Sequence, residues 1–141
     1  MRATELMIND WVIHCREAYQ IRQLGIYGEN RDGEDYPAVC IGKPEGVGLI
    51  VERNEIEPIP LTSEILEKNG WFLNDEDEKF FPQTWVGGGL MLQGADDSGY
   101  CIVVTSDYDD EDTNRTPFIL LYVHELQHAL RLRRIEKEII L

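Results

Sequence analysis

The stretch of this sequence with the residue types of a catalytic centre is His124-Glu125-Leu126-Gln127-His128. It has the HExxH spacing of zinc metallopeptidases. On a helix, positions i and i+4 lie on the same face, so both imidazoles could bind one Zn²⁺. Glu125 could then act as the general base for a metal-bound water. The spacing makes His124 and His128 candidate metal ligands and Glu125 a candidate catalytic residue.

A catalytic zinc site needs a third protein ligand, and the sequence supplies none at a familiar spacing. Arg134 stands where the metzincin pattern has a histidine. His14 is the other histidine of the chain and lies far upstream. The carboxylates downstream of the motif fall in a segment predicted to be extended. We therefore expect no cofactor, with zinc held by His124, His128 and either His14 or a carboxylate as the alternative.

The apolar spacing around the motif predicts which side of its helix faces the core. A stripe at i, i+4, i+7 and i+11 is formed by Ile119, Val123, Leu126 and Leu130. At about 100° per residue, the two histidines point well away from that stripe. We predict that they lie on an outer or partner-facing side. Replacing Glu125 with Gln should then change the free energy of unfolding by at most about 0.5 kcal/mol, as exposed substitutions do.

Two other patterns suggest ligand sites but lack the residues that such sites need. The acidic run 107–112 has the density of a Ca²⁺ loop, but an EF-hand needs glycine and glutamate where Asp112 and Phe118 stand. The Gly46–Gly48 segment has no dinucleotide fingerprint, and no lysine follows Gly87–Gly89 as it does in a P-loop. We interpret the acidic runs as solvated turns and Gly87–Gly89 as a bulge or tight turn between strands.

The composition excludes several classes of function. The chain has 141 residues, and 27 acidic side chains against 13 basic ones give a formal net charge of −14. Such a chain lacks the cationic face that displaces counterions from nucleic acid or docks on anionic lipid. We therefore expect no direct nucleic-acid partner and no membrane partner. An acidic mimic of nucleic acid, bound in the basic groove of another protein, stays open as an alternative.

The cysteine count and the N-terminal sequence predict a cytoplasmic location. Cys15, Cys40 and Cys101 are odd in number and have no CxxC spacing, so they predict reduced thiols rather than disulfides or a zinc ribbon. The N-terminal residues lack the apolar region of a signal peptide. No apolar run is long enough to span a bilayer. A reducing compartment fits all three observations.

The sequence predicts a single α+β domain over residues 1–141, with a β-rich part at 1–60. Turn-separated runs in that part predict five short strands, at 11–15, 18–27, 38–41, 48–51 and 55–59. They indicate a small bent antiparallel sheet or an SH3-like barrel. Pro58 and Pro60 should close this part, because proline cannot donate to a strand ladder.

The remaining part, residues 61–141, is predicted to combine helices with a β-meander. Thr62 or Ser63 can cap a short helix over 61–70, and Asn69-Gly70 is a stop signal. Strands of the meander are predicted at 79–86, 89–93 and 100–106. Residues 117–141 are predicted to form a helix followed by a last strand over 135–141.

Three islands of sequence, Leu6–Val12, Ile56–Gly70 and Val123–Leu130, resemble one group of proteins. This is a family of small uncharacterised proteins from Bacteroides-type gut bacteria and their phages or mobile elements. The resemblance spans the chain as islands separated by variable β segments. It implies an intracellular, phage-linked protein without an assigned activity. Members often carry another polar residue at the position of His128, which implies a structural helix and supplies no catalytic residues.

These observations together predict a non-enzymatic binding or accessory protein of phage or mobile-element origin. Its partner would be a protein that the sequence does not identify. A minimal zinc metallopeptidase or zinc-binding protein that uses His124, Glu125 and His128 is the first alternative. The acidic nucleic-acid mimic is the second.

Overall fold

A computed structural model describes residues 6–74, 84–94, 99–103 and 115–141. Within these ranges the chain forms two five-stranded antiparallel sheets and two α-helices. The predicted α+β class is therefore confirmed. The chain divides into two compact units, Met1–Ile59 and Pro60–Leu141. The division falls at the proline-marked boundary between the two parts that the sequence distinguishes.

The first unit is an antiparallel sheet with strand order β4-β3-β2-β1-β5. Each of the five runs predicted in this part overlaps one of its strands. A 3₁₀ turn, Arg53–Glu55, lies between the last two of them. The strands are β1 (Trp11–His14), β2 (Glu17–Glu29), β3 (Asp35–Gly42), β4 (Leu49–Glu52) and β5 (Glu57–Pro58).

The sheet of the first unit is bent along its longest strand. The pairing of β2 with β3 shifts register between Ile21 and Gln23 and again between Gln23 and Ile26. Gly25 lies at the second shift with a φ of +69°, a conformation that glycine adopts at little cost. β4 and β5 form the two edges, which agrees with the predicted bent sheet. Its core is built from Leu6, Val12, Ile21, Val39, Ile41, Val51 and Ile56.

The second unit begins with helix α1 (Ser63–Lys68), close to the predicted helix. The Thr62 Oγ1 atom accepts a hydrogen bond from the Ile65 amide, 3.3 Å away, as the capping signal predicts. A sheet of order β10-β9-β8-β7-β6 follows. Its strands are β6 (Trp71–Asn74), β7 (Thr84–Gly87), β8 (Met91–Gly94), β9 (Tyr100–Val103) and β10 (Arg115–Leu120), and helix α2 (Val123–Leu132) comes last.

The helix that carries the HExxH motif is shorter than the sequence predicts. Ile119 lies in β10, paired with Cys101 of β9, and the helix begins only at Val123. Residues 135–141, predicted as a last strand, belong to neither sheet. The side chain of Asn69 binds this segment instead, since its amide exchanges two hydrogen bonds of 2.7 and 2.8 Å with the backbone of Ile140.

The Gly87–Gly89 run is the tight turn between β7 and β8, as predicted. All three glycines have positive φ angles, of 112°, 57° and 88°. The ring of Trp71 lies so close to Gly88 that an added Cβ would overlap it. The Trp71 indole donates to the Leu90 carbonyl, 2.8 Å away. The turn thus fits closely around one buried tryptophan.

Some predictions fall outside the described ranges. The acidic runs at 75–78 and 107–112 do so, as do parts of the strands predicted at 79–86 and 100–106. In the described part, Cys15 and Cys40 carry free thiols. None of the helices in that part is long and apolar enough to cross a membrane.

Candidate functional site

An open groove of about 300 Å³ runs along one face of α2 in the second unit. We call it the α2 groove. Its helical residues follow the i, i+3, i+4, i+7, i+8 spacing of a single helix face. The residues that line it are Ile102 of β9, Ile119 and Leu120 of β10, and Glu125, His128, Ala129, Leu132 and Arg133.

Large apolar side chains stand in solvent beside this groove. Leu132 is 82% exposed and Ile119 is 44% exposed. Leu121 is also exposed, and a Cβ added at Gly99 would lie 2.8 Å from Leu121 Cδ2 and 2.9 Å from Ile119 Cγ2. Both side chains therefore lie over the Gly99 backbone. A cluster of exposed apolar side chains makes this face a candidate interaction site.

The opposite face of α2 is buried. Val123, Leu126 and Leu130 are inaccessible to solvent, as the apolar stripe predicts. His124 is only 3% exposed, so its predicted outer position is wrong. Its imidazole stacks on the Tyr122 ring, with centroids 5.8 Å apart and planes 10° apart. The buried face is wider than the apolar stripe because the flat face of an imidazole ring can stack on an aromatic neighbour.

The structure brings the two histidines of the motif together but gives them different surroundings. Their ring centroids are 5.6 Å apart in an edge-on arrangement. His124 is buried, whereas His128 is half-buried and lines the α2 groove. Across the part of the chain that the structure describes, no group of three or more His, Cys, Asp or Glu side chains could hold a metal ion.

Glu125 performs a structural task at the start of the helix. Its Oε2 atom accepts hydrogen bonds from the backbone N–H groups of Leu121, at 2.6 Å, and Tyr122, at 3.0 Å. Tyr122 is the N-cap residue, so Glu125 lies at the third helical position. A glutamate there reaches back to backbone amides just before the helix, as in a capping box. The sequence contained this signal within the motif that we weighed as a catalytic alternative.

We expect Glu125→Ala to lower the free energy of unfolding by about 1–2 kcal/mol, because two backbone N–H groups lose a charged acceptor. Glu125→Gln keeps one acceptor oxygen, so it should cost about half as much. This replaces the near-zero effect expected for an exposed residue. Urea unfolding followed by tryptophan fluorescence measures both variants.

The matching control is a chelator. If Glu125 acts as a cap, EDTA leaves the melting midpoint of the unmodified protein unchanged. A midpoint that falls on adding EDTA and returns with zinc, together with no loss of stability in Glu125→Ala, would contradict the capping role. Those results would support a metal centre at His124 and His128, because a bound metal stabilises the folded state.

His14, the other candidate ligand, belongs to the first unit. It is half-buried in β1, edge-on to the Tyr19 ring at 6.1 Å, with its Nε2 atom 3.7 Å from the Cys15 Sγ atom.

An ion pair lies on the same sheet, where Lys43 is 2.8 Å from the Glu17 carboxylate. Hydrogen bonds from Lys43 and Tyr19 hold the pKa of Glu17 below its usual 4.5. This is an exposed ion pair on a sheet surface, where such pairs contribute little to stability.

Three arginines mark the C-terminal end of α2. Arg131, Arg133 and Arg134 are all exposed, and Arg133 lines the α2 groove. Cations are favourable at this end because the helix dipole is negative there. On a chain with a net charge of −14, they form a local basic rim beside apolar side chains. The sequence did not predict the groove.

Comparisons of this chain with protein-family models, with curated proteins and with solved structures found no match. The resemblance to small gut-bacterial and phage proteins therefore stays a prediction from three sequence islands. The α2 groove and its geometry are the basis for a functional proposal.

Proposed function

We propose that this protein is a non-enzymatic binding protein whose α2 groove takes an apolar segment of a partner protein. The observation that carries the proposal is the pair of exposed side chains, Leu132 and Ile119, beside an open groove that ends at Arg133. The partner segment would place apolar side chains in the groove and a carboxylate at Arg133. This protein would act as an accessory or recognition protein and not as a catalyst.

The shape of the groove supports an apolar segment. Its volume, about 300 Å³, is at the lower end of the range for ligand pockets. It is partly open to solvent, so an occupant can reach its apolar lining from the surface. The half-buried Glu125 and the exposed Leu132, at i and i+7 of one helix face, frame a surface of the kind that binds a peptide as a second element against a helix.

The charges around the groove support a carboxylate on the partner. Arg133 presents a planar guanidinium that pairs with carboxylates through two parallel hydrogen bonds. The neighbouring Arg131 and Arg134 add positive potential at the same end. At the other end, Glu125 repels a second acid. This asymmetry would fix the direction in which a segment lies, since charges at the rim of an interface determine orientation.

The geometry of the motif supports a role other than catalysis. A general base must be able to take a proton from a water at the reacting centre. The Glu125 carboxylate is instead occupied by the Leu121 and Tyr122 amides. Zinc binding through His124 and His128 is the second candidate function, because their rings lie 5.6 Å apart on one helix. The chelator experiment described with Glu125 distinguishes the two.

We expect Leu132→Asp to weaken partner binding by about tenfold or more while leaving stability within about 0.5 kcal/mol. A displayed peptide library selected on the unmodified protein supplies the probes. The selected peptides should be apolar with an Asp or Glu at one end. Fluorescence polarisation then measures their affinities for each variant.

Val47→Asp is the matched control, since Val47 is 95% exposed and belongs to the first unit. It adds the same charge far along the chain from the groove residues. Arg133→Gln should remove the preference for acidic peptides without removing the apolar preference. The proposal would be overturned if Leu132→Asp bound the selected peptides as well as the unmodified protein did, or if Val47→Asp weakened binding equally.

A further inference from the structure

The first unit contains a second cleft, of about 410 Å³, whose lining is mostly polar. We call it the Arg53 cleft. Its lining residues are Tyr36, Pro37, Glu52, Arg53 and Asn54. β3 pairs with β4 up to the partners Ala38 and Glu52. Tyr36 and Pro37 lie just beyond this last pair, next to the 3₁₀ turn that follows β4. Strand register therefore places the turn and the start of β3 side by side.

Arg53, which lines this cleft, has a buried hydrogen-bond donor without a partner among the described residues. Its side chain is half-buried, and its Nε atom is buried without a hydrogen-bond partner among the described residues. A guanidinium stays charged at every physiological pH, so it cannot relieve the loss by deprotonating. Leaving a buried charged donor unpaired costs more than leaving a neutral one. Such a group in a native structure calls for a ligand or an ordered solvent molecule.

The neighbours of Arg53 hold the cleft in place. The Glu55 carboxylate accepts a hydrogen bond from the Glu52 amide at 3.0 Å, which closes the turn around Arg53. The Tyr36 ring lies over Gly28 of β2, and a Cβ at Gly28 would overlap the ring. The aromatic wall of the cleft therefore depends on the absence of a side chain at position 28. These contacts fix the turn and the aromatic wall of the cleft.

We propose that the Arg53 cleft binds a carboxylate, from a small organic acid or from a polypeptide C-terminus. The edge of a guanidinium that carries Nε–H and one Nη–H matches the two oxygens of a carboxylate. Because the Nε atom is buried, the side chain must turn this edge toward the cleft when a carboxylate binds. The space beside Tyr36 and Pro37 accommodates the rest of the molecule.

The charges of the cleft favour a carboxylate over a phosphate. Glu52 also lines the cleft, and the whole chain carries a charge of −14. Repulsion grows with the charge of the ligand, so a doubly charged phosphate is disfavoured more than a singly charged carboxylate. One arginine is enough to pair with one negative charge. The site thus selects a monovalent oxyanion.

The test is an NMR titration of the full chain with N-acetylalanine, its amide, a tripeptide with a free C-terminus and inorganic phosphate. We expect N-acetylalanine to shift the Arg53 Nε–H and Tyr36 signals, and the amide to shift neither. Phosphate should bind more weakly than N-acetylalanine. Tighter binding of the tripeptide would identify a C-terminus as the source, and tighter binding of N-acetylalanine would identify a small acid.

Arg53→Gln should weaken carboxylate binding by about tenfold or more. Arg53→Lys should weaken it by less, because lysine keeps the positive charge but lacks the two parallel N–H donors of the guanidinium. Arg31→Gln is the matched control, since Arg31 is an exposed arginine in a turn of the same unit. Equal shifts from acid and amide, tighter binding of phosphate, or no shift at Arg53 would overturn the proposal. The signals of the unmodified protein decide the matter even if an Arg53 variant fails to fold.

Discussion

Replacing Gly87 with Ala is expected to lower the free energy of unfolding by about 3–5 kcal/mol. Gly87 has a φ of +112°, and a Cβ there would overlap the carbonyl oxygen of Gly70. The obstacle is backbone, so it cannot move aside as a flexible side chain can. Backbone strain and overpacking each cost about 1–3 kcal/mol, and here they act together. Urea unfolding, followed by tryptophan fluorescence, gives the change directly.

Gly70→Ala is the matched control for this prediction. Gly70 also has a positive φ, of +86°, but the nearest atom to an added Cβ is Lys137 Nζ, 3.9 Å away. It should therefore cost only about 1–2 kcal/mol, the price of a left-handed conformation with a side chain. Equal losses in the two variants would contradict the predicted overlap between a Cβ at position 87 and the Gly70 carbonyl oxygen.

Replacing Asn69 with Asp is expected to lower the free energy of unfolding by about 3 kcal/mol at neutral pH. The Asn69 side chain is buried and donates to the carbonyls of Ile65, at 2.8 Å, and Ile140, at 2.7 Å. An ionised carboxylate cannot donate, so it would face two carbonyl oxygens in a buried place. Only the hydrogen bond that this side chain accepts from the Ile140 amide would remain.

The pH dependence of this variant has a definite sign. Burial beside carbonyl oxygens favours the neutral acid, so the pKa of the new carboxyl is raised in the folded state. The folded state then binds a proton more tightly than the unfolded state does. The loss of stability should shrink as the pH falls through this pKa, because the protonated acid can donate one hydrogen bond again. Unfolding curves at neutral and acidic pH measure the difference.

Gln23→Glu is the charge-matched control, because Gln23 is exposed on β2. It adds one negative charge without removing a buried donor, so its stability should change by no more than about 0.5 kcal/mol. Hydrogen exchange gives an independent measurement. The Ile140 amide should be protected in the unmodified protein and exchange faster in Asn69→Asp, because the segment opens more often once the Ile140 carbonyl loses its donor. An unchanged exchange rate would contradict the role assigned to Asn69.

Local signals in the sequence were sufficient for much of the fold. Thr62 predicted the start of α1, and the Val123, Leu126 and Leu130 spacing predicted the buried face of α2. The start of α2 was predicted too early because Ile119 fits the helical stripe as well as it fits a strand. Its conformation is determined by pairing with Cys101, and no local pattern reports such a partner.

The candidate site was harder to predict than the fold. The HExxH motif drew attention to His124, whose ring is buried against Tyr122, while the groove lies on the face of His128 and Leu132. That face mixes acidic, basic and apolar residues, so it forms only a weak apolar stripe in the sequence. One signal was present: Leu132 is an apolar residue among the arginines at the end of the helix. Exposure of that leucine depends on tertiary structure, which periodicity does not report.

The place of Glu125 within its helix has a consequence for recognising metallopeptidases from sequence. A glutamate at the third position of a helix is attracted to the amides just before it, whatever residues flank it. Chains in which HExxH opens a helix will therefore match the peptidase pattern through selection for a stable helix start alone. Counting residues from the N-cap to the glutamate separates these cases from motifs set deeper in a helix, where no free amide competes for the carboxylate.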